Sequence, residues 1–446
     1  MNLRPYQTAA IDAVRARYAA GDRSTLIVLP TGTGKTVVFA EMARRVARGG
    51  GRTLVLAHRT ELVDQALEKL HAAGVRAAAE QGARRVRTAG AVDCVVASVQ
   101  TLRGDRLLGW QPDAFALGVV DEAHHAPAKA YGDVVAHFRG ARWLGVTATP
   151  DRLDGAALGH VFESCAYTYE MRDAIRDGYL SPLTALRVDV PTLDLRQVAT
   201  RAGDLAQDQL GAKMLEDDSL HAIAAPLAEL SRGRRTVAFA VNVAHAHALA
   251  AVLCWYEPGC ARAAHGGMAP ADRAAVLRDF RAGRFRVLVN CALYTEGFDE
   301  PSIACVAVAR PTKSRALYAQ MVGRGTRIAP GKRDCLVLDF VGQAGRHRLM
   351  NPADVLAGGA LDDADRGDAE SVLAEAGDGI DVGALLAELA KRREVRPVQY
   401  RTREVKMGLS AEELRSVVDL FSDVRPPGAG ILEFFAARNT PGPRDV

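Results

Sequence analysis

The residues best placed to do chemistry stand together at Thr31-Gly32-Thr33-Gly34-Lys35-Thr36. A short apolar run, 25–29, leads into them, and a helix-compatible run, 37–48, leads out. Strand, glycine-bearing loop, Lys-Thr and helix is an order that cradles a polyphosphate, because loop N–H groups and the helix N-terminus converge on it. Lys35 would reach the β- and γ-phosphates, and the Thr36 hydroxyl would take Mg²⁺. The full pattern has glycine six residues before the lysine, where this chain has Leu29.

Two other groups suit the same substrate. An apolar run ends in Asp121-Glu122, followed by Ala123-His124. Near a phosphate loop, the first carboxylate can hold Mg²⁺ and the second can polarise an attacking water. Far along the chain, Gln320-Met321-Val322-Gly323-Arg324-Gly325-Thr326-Arg327 puts two arginines three apart, on one face if helical. Paired guanidiniums suit the charge that spreads over a triphosphate during transfer. Gly323 and Gly325 argue against an ordinary solvated helix, since each would cost about 1 kcal/mol there.

The elements that must hold these groups read as α/β. Apolar strand candidates recur at 25–29, 53–57, 94–99, 117–120 and 143–146, with helical runs between them. That alternation argues for a mostly parallel sheet covered on both faces, with ligands outside the carboxyl ends of its strands. The polar segments fall at those ends. After a less regular stretch the alternation restarts at 236–241, 287–291, 303–309 and 335–340. The expected division is a first lobe at 1–165, an inter-lobe linker region at 166–232, a second lobe at 233–345 and a C-terminal extension at 346–446. The extension opens on an acidic stretch, with eight Asp or Glu in 361–381, and goes on to a basic run at 391–406. The acidic stretch is expected to be a mobile linker.

The bulk numbers fit. The chain has 446 residues, 48% hydrophobic and 25% charged, enough to fill a core in each of two or three domains. A net charge of +4 is compatible with nucleic acid and weak as a sign of it. The seven cysteines include no CxxC pair, which disfavours a zinc ribbon and favours a reducing cytosol. No signal peptide is read at the start, and no apolar run reaches about 18 residues, so a cytoplasmic protein without a membrane span is expected.

In order, Arg4-Pro5-Tyr6-Gln7, the phosphate loop, His58-Arg59-Thr60-Glu61-Leu62, Ser98-Val99-Gln100-Thr101, Asp121 to His124, Thr147-Ala148-Thr149, Phe239 to Asn242, Thr295 to Asp299 and Gln320 to Arg327 resemble a superfamily II helicase or translocase of the DEAH-box kind. Gly145 to Pro150, Asp177-Gly178-Tyr179-Leu180 and Val322 to Arg327 with Ala329-Pro330-Gly331-Lys332 resemble most the XPB and RadD branch of DNA repair helicases. The resemblance implies two tandem RecA-like lobes, with ATP and Mg²⁺ between them. The C-terminal extension lies outside it and is expected to be mixed and partly disordered. It implies that Arg4 and Gln7 contact adenine, and that Gly32, Thr33, Gly34, Lys35 and Thr36 hold phosphates, with Thr36 and Asp121 on the metal. Glu122 would activate water, and Gly297 and Asp299 would approach from the second lobe. Gln320, Arg324 and Arg327 would meet the γ-phosphate, with Arg327 the arginine finger. His124, Thr147 and Thr149 would couple hydrolysis to movement. Arg59, Ser98, Gln100, Thr101, Asn242, His265 and Gly266 would lie along the nucleic-acid backbone.

The activity implied is an ATP-dependent DNA helicase or translocase, acting on single-stranded or forked DNA in repair or recombination. The alternatives are the motor subunit of a restriction or phage-defence system, with a nuclease partner, and an RNA helicase. A nucleotide-binding scaffold without turnover would require a defect in the catalytic set, and none is visible.

Overall fold

The computed structural model describes residues 3–345 except 59, 87–91, 127–128, 149–160 and 292–299, and then 347–352, 354, 369, 371–373, 379–381 and 384–385. By contact, residues 1–394 form one compact body and 395–446 another, the latter outside the described residues; within the first, the two sheets with their helices are called the first and second units.

The first sheet contains β1 (Ser24–Val28), β2 (Thr53–Ala57), β3 (Ala77–Glu80), β4 (Cys94–Ser98), β5 (Leu117–Asp121), β6 (Arg142–Thr147) and β7 (Ser164–Thr168). Their order is β3-β4-β2-β5-β6-β1-β7, and every pairing is parallel. Alternate residues feed two cores. Ile27, Val55 and Val119 face one side, and Leu26, Leu54 and Val120 the other. That is why these strands read as unbroken apolar runs rather than alternating ones. Opposite Gly118, Trp143 lies so close that a Cβ would come within 2.4 Å of its ring.

The second sheet contains β8 (Leu183–Asp194), then β11 (Thr236–Phe239), β12 (Ala261–His265), β13 (Val287–Cys291), β14 (Cys305–Val308), β15 (Cys335–Gln343) and β16 (Ile380–Asp381). Between β8 and β11 lies a small hairpin, β9 (Thr200–Arg201) with β10 (Asp204–Leu205). The order is β12-β13-β11-β14-β15-β8-β16, parallel except that β16 runs against β8. The stretch 166–232, expected as a link, supplies the end of β7 to the first sheet and β8, the hairpin and two helices to the second unit. Its prolines masked β8 in the sequence. Pro191 falls within the irregularity between the Val341–Asp189 and Gln343–Asp194 pairings, where no ladder bond is asked of it.

The cysteines behave as small hydrophobes. Cys94, Cys260, Cys291, Cys305 and Cys335 are buried, and burial pushes the Cys335 thiol up to about 12. Among the described residues, no helix is long and apolar enough to cross a membrane.

One buried group sets a pH response. His245, in the first turn of the helix Val243–Tyr256, is fully buried and accepts the Val241 N–H at Nδ1, 3.2 Å. Burial lowers its pKa from 6.5 to about 4. The unfolded chain therefore takes up a proton below about pH 6.5 that the folded chain refuses. Stability is full above that pH and falls as pH drops toward 4, by about 3 kcal/mol in total. In urea unfolding, His245→Gln should lose less stability than the wild type between pH 6.5 and 4.5; equal pH slopes in the two proteins would refute this origin.

Candidate active site

The phosphate loop follows directly from β1. Leu29 donates its N–H to the Thr147 carbonyl, 2.9 Å, and is fully buried in the core. It thus continues the strand beside β6, which explains why this position needs no glycine. The loop then turns on itself, with the Thr33 N–H and hydroxyl both directed at the Pro30 carbonyl, 3.3 and 2.7 Å. Gly32 and Gly34 have φ of 89° and 82°, in the left-handed region that excludes most side chains. Gly34 is the N-cap of the helix Lys35–Arg48 and makes no side-chain cap bond, so the helix opens onto the loop with its first N–H groups directed there. A curled loop, an uncapped helix start and a lysine make a donor set that fits a polyphosphate.

The start of the chain braces this loop. Tyr6 Oη and Gln7 Nε2 both donate to the Thr33 carbonyl, 2.5 and 3.0 Å, and the Arg4 N–H donates to Gln7 Oε1, 3.0 Å. A Cβ on Gly34 would lie 2.8 Å from Gln7 Nε2, so the contact leaves room only for glycine. The Arg4 guanidinium stands over the Tyr179 ring at 5.0 Å, and Tyr6 stacks on Tyr169 with centroids 4.5 Å apart. This arginine–aromatic corner has the planar surfaces an adenine ring would need.

The carboxylates stand at the end of β5. Asp121 and Glu122 are each 7% exposed, and the Glu122 N–H donates to Asp121 Oδ1, 3.0 Å. Glu122 has φ 50°, left-handed backbone rarely adopted by a non-glycine residue and most often found at functional sites. Lys35 Nζ is 3.2 Å from Glu122 Oε1. His124 Nδ1 lies 3.5 Å from both Glu122 Oε2 and Thr147 Oγ1. One polar chain therefore runs from the phosphate-loop lysine through the water-activating candidate to the end of β6. Thr36 and Asp121 carry the oxygen ligands suited to Mg²⁺.

The second unit closes on this centre. The helix Arg315–Gly323, capped by Ser314, ends in the arginine turn. A Cβ on Gly323 would lie 2.8 Å from Thr31 Cβ, and one on Gly32 would lie 3.2 Å from Arg327 Cγ. Arg327 thus rests against the phosphate loop itself, while Gln320 and Arg324 are 6% and 4% exposed behind it. Gly325 has a different purpose: a Cβ there would meet Cys335 Sγ at 2.2 Å.

Residues given no role from sequence hold this turn and the loop it rests on. The Ser181 N–H donates to the Thr326 carbonyl, 2.6 Å, and its hydroxyl to the Arg327 carbonyl, 3.2 Å. Lys332 Nζ donates to the Arg327 carbonyl, 2.6 Å, and also to that of Gly325; burial lowers its pKa. Leu180 would be 3.3 Å from a Cβ on Gly32. The words Asp177 to Leu180 and Ala329 to Lys332 were the available signal, although no chemistry could be read from them.

The residues expected along nucleic acid are placed less uniformly. Ser98 Oγ donates to Gln100 Oε1, 2.6 Å, Gln100 Nε2 donates to the His58 carbonyl, 3.1 Å, and Thr101 Oγ1 accepts the Gly82 N–H, 3.2 Å. These sit at the ends of β2 and β4. Asn242 follows β11 and caps the helix Val243–Tyr256 through Oδ1, 2.8 Å from the His245 nitrogen. Its amide faces Gly211, where a Cβ would be 2.1 Å away. At the end of β12, His265 Nε2 is 3.1 Å from His247 Nε2, and Gly266 is exposed. Arg59, Thr149, Gly297 and Asp299 lie outside the described residues.

Comparison with known proteins agrees with this geometry. The family described as "Type III restriction enzyme, res subunit" matches residues 1–152, and "Helicase conserved C-terminal domain" matches 218–329. A Schizosaccharomyces pombe protein with the provisional name mitochondrial ATP-dependent helicase irc3 is 33% identical, over 76% of this chain and 57% of its own length. The type I restriction enzyme EcoAI endonuclease subunit of Escherichia coli is 26% identical, over 76% of this chain and 46% of its own. The chain thus spans about half the length of these relatives. A fragment of a type I restriction enzyme subunit from Vibrio vulnificus YJ016, provisionally named HsdR, shares the fold with a TM-score of 0.59 at 23% identity, over 77% of this chain and 64% of that one. The two family matches fall in order, one over the first sheet and one over the second, so the chain is similar to a restriction-enzyme subunit family in its first part and to helicase C-terminal domains in its second.

Proposed function

We propose that the chain is a nucleic-acid-dependent ATPase that moves along or unwinds DNA by hydrolysing ATP between its two units. The carrying observation is the polar chain Lys35–Glu122–His124–Thr147, with Arg327 resting against Gly32 from the opposite unit. In this reading Lys35 and the loop N–H groups bind the β- and γ-phosphates. Glu122 orients the attacking water and accepts its proton, and Arg327 and Arg324 stabilise the charge that builds on the transferred group. Thr36 and Asp121 would hold Mg²⁺, which would supply positive charge to offset that of the phosphates. Gly297 and Asp299 would join from the second unit. Glu122 cannot pair with Lys35 and direct a water at once, so substrate phosphate must draw the lysine away. His124 and Thr147 would then pass that change from Glu122 into β6, with Thr149 beyond. Because the lysine and the arginines stand on different units, turnover requires closure, and closure would move a bound strand.

DNA fits as the partner because the nucleic-acid candidates offer backbone-type contacts, which read phosphate and sugar rather than sequence. Repair or recombination, after the XPB and RadD branch, is the first setting. The match of residues 1–152 to a restriction-enzyme family favours a second one, a motor that serves a nuclease partner in restriction or phage defence. An RNA helicase is the remaining alternative. ATPase rates with single-stranded DNA, forked DNA and RNA decide among them: stimulation by DNA well above that by RNA is expected, and equal stimulation overturns the DNA assignment.

Lys35→Ala should reduce ATP turnover by about a thousandfold or more, whereas Glu122→Gln should still bind ATP while failing to hydrolyse it. Near-normal turnover in either variant would remove the assignment. Lys332→Met should lower kcat about ten- to a hundredfold by loosening the Arg327 turn, with the KM for ATP little changed. A rise in KM at constant kcat would instead assign Lys332 to ground-state binding.

A further inference from the structure

We propose a second phosphate-binding site, on the second unit at the carboxyl ends of β8 and β15, that takes the sugar-phosphate backbone of nucleic acid. The inference rests on the reading of the chain as a nucleic-acid motor. A cavity of about 550 Å³ opens there, between the last turns of β8 and the segment that follows β15. Arg187, His347 and Arg348 line it and, among the described residues, one carboxylate, Asp189.

The lining groups are poised for an anion. Arg187 uses Nε on Asp189 Oδ1, 2.9 Å, and its two terminal nitrogens make no hydrogen bond among the described residues. Asp189 itself is 64% exposed, so it offsets little of the charge facing inward. His347 is 7% exposed, and its Nε2 has no hydrogen-bond partner. Leaving such a group buried and unsatisfied is unfavourable, a cost that an acceptor oxygen in the cavity removes. Next to the cavity, Arg196 closes on Asp194 with two bonds, 2.9 and 2.8 Å, and its stem packs on Gly345, whose φ of 55° turns the chain back. That pair is neutral and leaves the lining basic. The Met350 N–H donates to the Thr312 carbonyl, 2.8 Å, which ties the segment carrying His347 and Arg348 to the end of β14.

The ligand class follows from what lines the cavity and where it lies. Among the described residues no aromatic ring but His347 lines it, so they give a base no platform to stack on, while a phosphodiester would meet guanidinium and imidazole donors. In the sheet order β15 is two strands from β11, roughly 10 Å at the usual spacing. The end of β11 carries Asn242, one of the residues expected along the nucleic-acid backbone. A strand lying across the carboxyl ends of this sheet would reach both.

The test measures binding of the full chain to labelled single-stranded and forked DNA across a salt series, for wild type, Arg187→Ala, Arg187→Lys and His347→Gln. Arg187→Ala should weaken binding to the same extent for unrelated sequences and flatten the log K against log salt slope by about 0.7–0.9, the share of one phosphate contact. Arg187→Lys should keep the slope, and His347→Gln should weaken binding without changing it. ATPase activity without nucleic acid and the unfolding midpoint should be unchanged in Arg187→Ala; if that midpoint drops, Arg187→Lys and His347→Gln carry the comparison. Wild-type affinity and slope in Arg187→Ala overturn the site while leaving the motor reading intact. Inorganic phosphate that raises the unfolding midpoint of wild type but not of Arg187→Ala, with DNA binding equal in both, also overturns it, since the cavity then takes a free anion. A wild type that neither binds DNA nor is stimulated by it overturns the motor reading as well.

Discussion

The structure depends on one close approach, the turn Gly323–Arg327 of one sheet unit lying on the phosphate loop of the other. Gly323 against Thr31 and Gly32 against Arg327 are contacts with no room for even a methyl group without displacement. Both glycines therefore serve the assembly of the site. Gly32 also supplies the left-handed turn that curls the loop. Since the approach is steric, the cleft is sensitive to small shifts. A change of a few tenths of an ångström at the turn moves the arginine relative to where a γ-phosphate would sit, which is the scale on which transition-state stabilisation is gained or lost.

That sensitivity explains why the turn is held from outside. Ser181 and Lys332 take the carbonyls of residues 325–327, and they come from opposite sides of the arginine segment in sequence. A half-buried ammonium donating to two carbonyls costs desolvation, as the lowered pKa of Lys332 records. Such a group is retained where it fixes geometry. The same logic applies on the first unit. Glu122 occupies strained backbone so that its carboxylate can face both Lys35 and His124.

Much of the architecture was legible in the sequence because buried parallel strands are continuous apolar runs. The strands at 25–29, 53–57, 94–99, 117–120 and 143–146 and, in the second sheet, 236–241, 287–291, 303–309 and 335–340 were readable on that ground alone. β3, β7, β8, the half-exposed β12 and the short β16 were not. β3 is four residues of Ala and Glu, β7 is a half-exposed edge strand, and β8 carries a proline at its irregularity. The phosphate-loop, Asp-Glu and paired-arginine words stood out because the chemistry they suggest demands particular residue types at fixed spacing. The turn-holding lysine and serine were not, because donating to a carbonyl can be done by many residues and leaves no pattern.

Leu29 and Asn242 mark the limits of reading residues by motif. Leu29 looked like a defect in the phosphate loop, yet it is a strand residue paired to Thr147, and the loop proper begins after it. Asn242, expected along nucleic acid, also caps the helix Val243–Tyr256 with its oxygen, and its amide nitrogen lies where a Cβ on Gly211 would fall, 2.1 Å away. The cap fixes where the helix starts, and with it the end of β11 on which any strand-facing backbone must lie. A polar residue can thus shape the edge of a sheet through a helix cap, whatever else it touches. Sequence patterns record that a residue is required at such a place, and only the geometry separates the group that grips from the group that positions.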